Sequence, residues 1–191
     1  MEPCAERKQR SPHASDEMSI RRLLILAVGN PSRGDDALGP LFLDRLAALR
    51  EQEGGWDNIE LLTDFQLQIE HAVDLENRDL VLFVDASVSC PPPYQFTPLQ
   101  PARDTSYTSH ALSPAAVLHV YQQINANPPP AFLLAIRGES FELGNSLTSG
   151  AEENLKAAFG FAEQLLKQAT EENWKRISKL QCKGLSFCSS V

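Results

Sequence analysis

The stretch LLILAVGNPSRGDDALGP, Leu23 to Pro40, decides how this chain is read. Its first six residues, Leu23 to Val28, are continuously apolar, as a strand covered on both faces must be. A glycine-bearing loop follows from Gly29 to Asp36, and then an amphipathic run from Ala37 to Arg50. Strand, glycine loop and helix in that order form the first unit of an alternating α/β domain. In open sheets of this kind ligands bind in the crevice beyond the carboxyl ends of the strands, which is where this loop lies.

The loop excludes two nucleotide readings. Gly29 and Gly34 have the spacing of the phosphate loop GxxxxGK[ST], but Asp35 and Asp36 stand where that loop needs a lysine and a hydroxyl. Two carboxylates would repel a triphosphate at short range. The dinucleotide fingerprint GxGxxG is also missing, since the glycines are five apart. Carboxylates at such a loop suit a metal ion instead, which needs oxygen or imidazole ligands from several chain segments.

The remaining chain repeats the rhythm. Short apolar runs predict strands at Leu23–Val28, Ile59–Leu62, Leu80–Val84 and Phe132–Ile136. Amphipathic runs predict helices at Ala37–Arg50, Leu67–Leu75, Ser113–Asn125 and Ala151–Ala169. Asn77, Arg78 and Asp79 form a turn into the third strand, and Pro128, Pro129 and Pro130 stop the third helix. The long connection from Cys90 to Ser109 holds a candidate edge strand near Tyr94 to Leu99. The expected architecture is a three-layer α/β/α domain around a doubly wound, mainly parallel sheet.

Composition agrees. The 191 residues carry 17 Lys and Arg against 25 Asp and Glu, a net charge of −8, with 42% apolar residues. That is enough to bury a normal core in one domain. The pI near 5.0 and the lack of a basic block argue against nucleic-acid or anionic-membrane partners and favour a cation or a basic peptide. Cys4, Cys90, Cys182 and Cys188 show no CxxC pair, which fits a reducing, cytoplasmic setting. No run approaches the ~18 apolar residues of a membrane helix. Arg21-Arg22 imitates a twin-arginine signal, but only six apolar residues follow before Gly29, so a first buried strand is the better account.

Two further residues point to the crevice of the first loop. Asp85 ends the apolar run of the third strand, where an unbalanced buried charge is expensive; a cap or turn role is the competing account. His110 closes the long loop just ahead of the third helix, where an ordinary loop residue is the competing account. The fold brings a carboxylate of the first loop, Asp85 and His110 toward one end of the sheet. No GxSxG, HExxH or Cys-His arrangement is present near it.

The run Leu24 to Asn30 with Asp35-Asp36-Ala37-Leu38-Gly39, then Asp85-Ala86, then His110 with Leu112 and Leu118, resembles the hydrogenase maturation proteases. The resemblance covers about Ile20 to Ala169. It implies an α/β/α domain with a twisted five-stranded sheet and an endopeptidase, of the aspartic-type activity class, that removes the C-terminal extension of a nickel-iron hydrogenase large-subunit precursor after nickel insertion. It further implies that Asp36, Asp85 and His110 bind the metal, a nickel ion carried by the precursor, with no organic cofactor. Many relatives carry Glu where this chain has Asp36, one methylene longer. The Thr63-Asp64-Phe65-Gln66-Leu67-Gln68 segment resembles the branch acting on bidirectional, NAD-linked hydrogenases, and the family implies that it helps select the substrate.

In the mechanism so implied, the metal polarises the scissile carbonyl or activates water, with Asp35, Asp36 or Asp85 as base. Asp35 is better explained as a helix N-terminal residue facing the dipole, leaving Asp36 as the ligand. Glu70 and His71 suit a precursor contact or, more simply, a solvated helix face. Thr148, Ser149 and Gly150 are expected to cap the last helix, and Arg137 to Ser140 to line the cleft. Two competing functions are a metal-dependent hydrolase of a small molecule and a nickel-sensing chaperone that binds the large subunit without cutting it. The expected organisation is a disordered extension at 1–17, one protease domain at 18–170 that works as a monomer, and a tail at 171–191 in which Trp174, Ile177 and Leu180 are spaced for a short helix. Met18 is a candidate start.

Overall fold

The computed structural model describes residues 22–54, 56–103, 112–125 and 127–186. The 1–17 extension, Met18 and the candidate ligand His110 lie outside the described residues.

Five strands are present: β1 Leu23–Val28, β2 Ile59–Asp64, β3 Leu80–Ser87, β4 Tyr94–Pro98 and β5 Ala131–Arg137. Five α-helices accompany them: α1 Leu38–Glu53, α2 His71–Asp74, α3 Pro114–Ile124, α4 Ser149–Lys167 and α5 Glu171–Ser186. The sheet order is β2-β1-β3-β5-β4. β1 pairs in parallel with β2 and β3, and β3 with β5, while β4 runs antiparallel against β5 at the edge. A doubly wound, mainly parallel sheet is therefore observed.

The continuous apolar runs are explained by the two cores. Leu23, Ile25 and Ala27 of β1 face α1, α4 and α5, whereas Leu24, Leu26 and Val28 face α2 and α3. All six are buried, so this strand has no solvent face. Ser113 caps α3 by accepting from Ala116 N, and Thr148 caps α4 by accepting from Ala151 N. Both caps follow from a short hydroxyl residue at the last extended position before the helix.

Three elements differ from their predicted form. The helix expected at Leu67–Leu75 is a single turn, His71–Asp74, because Gln68, Ile69 and Glu70 are exposed and offer no second apolar stripe. β3 continues past Val84 to Ser87, which places Asp85 inside the strand, in register with Ala135 of β5, rather than in a turn. The tail forms a 16-residue helix, α5. Trp174 of α5 is fully buried, stacks edge-on to Phe132 at 5.3 Å and Phe96 at 5.8 Å, and donates its indole N–H to Leu165 O at 3.1 Å. Ile177 packs against the same core, but Leu180 is exposed. Gln181 accepts a hydrogen bond from Phe96 N, so α5 also covers the edge of β4. No helix among the described residues is long and apolar enough to cross a membrane.

Candidate active site

The chain leaves β1 to one side toward β2 and to the other toward β3, so the strand order reverses at β1. A crevice opens at such a switch point, beyond the carboxyl ends of β1 and β3. Here the β1 loop and the end of β3 lie at that point of the sheet.

Two glycines let the loop fold tightly over the strand end. Gly29 has φ +146°, and a Cβ there would overlap the carbonyl oxygen of Asp36. At Gly39 a Cβ would overlap the carbonyl oxygen of Val28, so only glycine lets α1 start this close to β1. The 3-10 turn Gly34–Ala37 between them carries both aspartates. Asn30 shapes its entry: its Oδ1 accepts from Ser32 N at 2.9 Å, and its own N donates to Asp36 Oδ2 at 2.9 Å.

Asp36 is half-buried on this turn, close enough for its charge to act on Asp85. Asp85 is half-buried, and its Oδ1 accepts one hydrogen bond, from Ala86 N at 2.8 Å. Burial pushes its carboxyl up to about 7; the Ala86 bond offsets part of this, and the Asp36 charge adds to the rise. The structure thus brings together two of the three residues singled out from sequence. Among the described residues, no group of three His, Cys, Asp or Glu side chains is arranged to hold a metal ion.

Asp35 lies at a helix start, as expected, but it is fully buried rather than solvated: it sits in the first turn of the 3-10 helix and accepts from Thr148, the N-cap of α4. Its Oδ2 accepts from Glu139 N at 2.7 Å, Ser140 N at 3.0 Å and Thr148 Oγ1 at 2.9 Å, and its Oδ1 accepts from Thr148 N at 2.7 Å. Burial alone would raise its carboxyl, but these donors outweigh it and hold the group below the ordinary range. Both of its oxygens are thus engaged as acceptors by groups of the β5–α4 connection. Nothing in the local sequence distinguishes it from Asp36, because its partners lie more than 100 residues away.

His71 also departs from the solvated-face expectation, since it is buried. Gln68 N donates to its Nδ1 at 2.8 Å, and its Nε2 faces Asp64 Oδ2 at 3.5 Å. Asp64 ends β2, and its carbonyl accepts from Gly29 N at 3.1 Å. The β2–α2 loop is therefore braced beside the β1 loop by a histidine whose partners are both within seven residues. Glu70 remains exposed. Arg137, at the end of β5, donates to Val88 O and to Cys90 O, fixing the loop that follows β3.

The rim of the crevice is apolar in several places. Phe65 and Ile69 after β2, Val88 after β3 and Leu143 after β5 are all exposed, Phe65 at 66% and Leu143 at 75%.

Comparison with solved structures gives a consistent set of neighbours. The hydrogenase maturating endopeptidase HybD from E. coli aligns over 78% of this chain and 93% of its own, with a TM-score of 0.59 and 25% identity. A second structure, an endopeptidase from Escherichia coli, aligns over 78% and 93% with a TM-score of 0.60 and 24% identity. The [NiFe] hydrogenase maturation protease HycI from Thermococcus kodakarensis KOD1 aligns over 78% and 94% with a TM-score of 0.59 and 22% identity. No protein-family model matches the sequence, and no curated protein matches it. The chain's neighbours in fold thus include hydrogenase maturation endopeptidases, and the likeness to HybD supports an endopeptidase.

Proposed function

We propose that this protein removes the C-terminal extension of a nickel-iron hydrogenase large-subunit precursor and uses nickel already held by that precursor to recognise it. The observation that carries this reading is the convergence of Asp36 and Asp85 at the β1/β3 switch point, in the fold of the maturation endopeptidases. The exposed apolar side chains around the crevice favour a protein substrate over a small molecule, because they bury area only against a large partner.

In this reading Asp36 and Asp85 grasp the incoming nickel, with His110 as the third ligand expected from the sequence. Nickel is part of the substrate here and arrives with the precursor's own ligands. Two carboxylates in a half-buried crevice repel each other until a cation enters, so the site favours the nickel-loaded precursor over the empty one. The scissile peptide then lies against Asp85, which accepts a proton from the attacking water when ionised and can return it to the leaving amine. Binding the cation keeps Asp85 ionised for the first of these steps. The resemblance of the Thr63–Gln68 segment supports a substrate among the bidirectional, NAD-linked hydrogenases, with the enzyme working in the cytoplasm as a monomer.

The test is mass spectrometry of the precursor, with and without nickel, after incubation with the wild type and with Asp36→Ala and Asp85→Ala. Shortening at one C-terminal site, only with nickel and only by the wild type, is expected. Full activity of Asp85→Ala would remove that residue from the mechanism. Binding without shortening would favour the chaperone reading.

A further inference from the structure

The β1 loop does not stand alone. Asp35 N donates to Ser140 O at 2.8 Å, Gly34 N to Asn145 O at 3.1 Å, and Gly144 N to Ser32 O at 2.8 Å. Arg33 Nε donates to Phe141 O at 3.2 Å. Four more bonds converge on the Asp35 carboxylate from Glu139, Ser140 and Thr148. The β1 loop and the β5–α4 loop, Gly138 to Thr148, are thereby tied into one body whose centre is a fully buried charge.

The chemistry requires a carboxylate. All four contacts are donors, three on one oxygen and one on the other. An ionised carboxylate is acceptor-only and satisfies all of them; an amide of the same size would turn an NH2 group against at least one N–H or O–H. Thr148 extends the chain, because its Oγ1 donates to Asp35 and accepts from Ala151 N at 3.2 Å, so the carboxylate is also linked to the first turn of α4.

Asp36 is the next residue on the same turn. Its carbonyl oxygen lies against Gly29, its N donates to Arg33 O at 3.1 Å, and its Oδ2 accepts from Asn30 N. Among the described residues, the Asn30 bond is the hydrogen bond made by its side chain, so the position of that side chain follows the turn.

We propose that Asp35 is the positioning residue of this site: it locks the 3-10 turn to the β5–α4 loop and so fixes Asp36 near Asp85. It touches neither substrate nor metal and acts through its neighbour. Its consequence for cleavage rests on the proposed protease function, but its consequence for the turn does not.

The test uses the full chain with Asp35→Asn, Thr148→Val and Thr148→Ser. The first readout is amide hydrogen exchange by NMR at Asn30, whose N–H is held by the Asp36 carboxylate, compared with the core amides Leu24 to Ala27. Asp35→Asn is expected to speed exchange at Asn30 by about tenfold or more while the core amides keep their protection. Thr148→Val should do so by less, and Thr148→Ser should behave as the wild type. The second readout is cleavage of the nickel-loaded precursor, where kcat should fall by up to about 100-fold in Asp35→Asn at unchanged KM, the size expected for a misplaced group. Unchanged exchange at Asn30, or exchange that rises only in step with the core strand, overturns the proposal. A raised KM at unchanged kcat overturns it too, by assigning the loop to docking. If Asp35→Asn does not fold, Thr148→Val carries the same comparison. A wild type that fails to cut the precursor removes the protease function and leaves the exchange result to decide the role of Asp35.

Discussion

Replacing Asp85 by Asn should abolish cleavage and, at the same time, stabilise the protein above neutral pH. The Asp85 carboxyl sits at about 7 in the folded chain against 3.8 for an ordinary aspartate. Between those values the folded state keeps a proton that the unfolded state has released. Stability therefore falls as pH rises through this window and levels off above it. At about 1.4 kcal/mol per pH unit, the full window amounts to up to about 4 kcal/mol at pH 8. Asparagine keeps the shape and, through Oδ1, the bond from Ala86 N, but it has no charge to desolvate and none to repel Asp36. Urea unfolding of both proteins at pH 4 and pH 8 measures this, provided the slopes agree. The variant should gain several kcal/mol at pH 8, and the difference should shrink toward zero at pH 4. An asparagine variant no more stable than wild type at pH 8, or a gain that does not depend on pH, would refute the argument that burial and Asp36 raise this carboxyl. A gain in stability paired with lost activity is the mark of a group held in an unfavourable state for its function.

Asp35 predicts the opposite pH dependence. Its carboxyl is held below the ordinary range, so the stability it contributes is present above that range and is lost as pH falls through the folded value; acid titration followed by circular dichroism should show a shallower acid limb in Asp35→Asn than in wild type. Gly39→Ala should cost at least about 2 kcal/mol in urea unfolding, because its Cβ meets the Val28 carbonyl in the tightest helix-to-strand contact beside the site. Trp174→Ala should cost about 3–5 kcal/mol, since it deletes a fully buried ring that contacts Phe96 and Phe132. Limited proteolysis of that variant should cut within α5 before any strand is lost.

The parts of the fold that were legible in the sequence are those set by local pattern. Leu23–Val28 could only be a strand with two buried faces, and the bounds match those observed. The edge position of β4 was signalled by Pro98 and the preceding prolines, since a residue without an N–H cannot serve a central ladder. Where local pattern was weak, the reading was less good. Leu67, Ala72 and Leu75 are spaced as on a helix, yet most of the segment is braced loop, because His71 competes for the backbone N–H of Gln68. A buried histidine bound to residues three and seven positions away has no spacing that separates it from one on a solvated face. That a carboxylate of the β1 loop and Asp85 lie near each other was legible from topology, which brings the ends of β1 and β3 together, whereas the choice of Asp36 over Asp35 came from the family resemblance.

The three aspartates show why side-chain type and spacing stop short of chemistry. Asp35 and Asp36 are adjacent in sequence and share one turn, yet four donors surround the first and a single backbone N–H meets the second. Asp85 is half-buried with one donor and the charge of a second carboxylate acting on it, and its proton is held to about neutral pH. Burial raises a carboxyl in each of Asp35 and Asp85; the number of donors decides which way the balance falls. Those donors come from Glu139, Ser140 and Thr148, over 100 residues downstream, so the distinction is made by the fold and not by the letters Asp-Asp. A carboxylate held below the ordinary range beneath the turn and a proton-holding one at the end of β3 are suited to different tasks. The first is suited to holding the loop in place, while the second is suited to the proton exchange that the proposed cleavage would require.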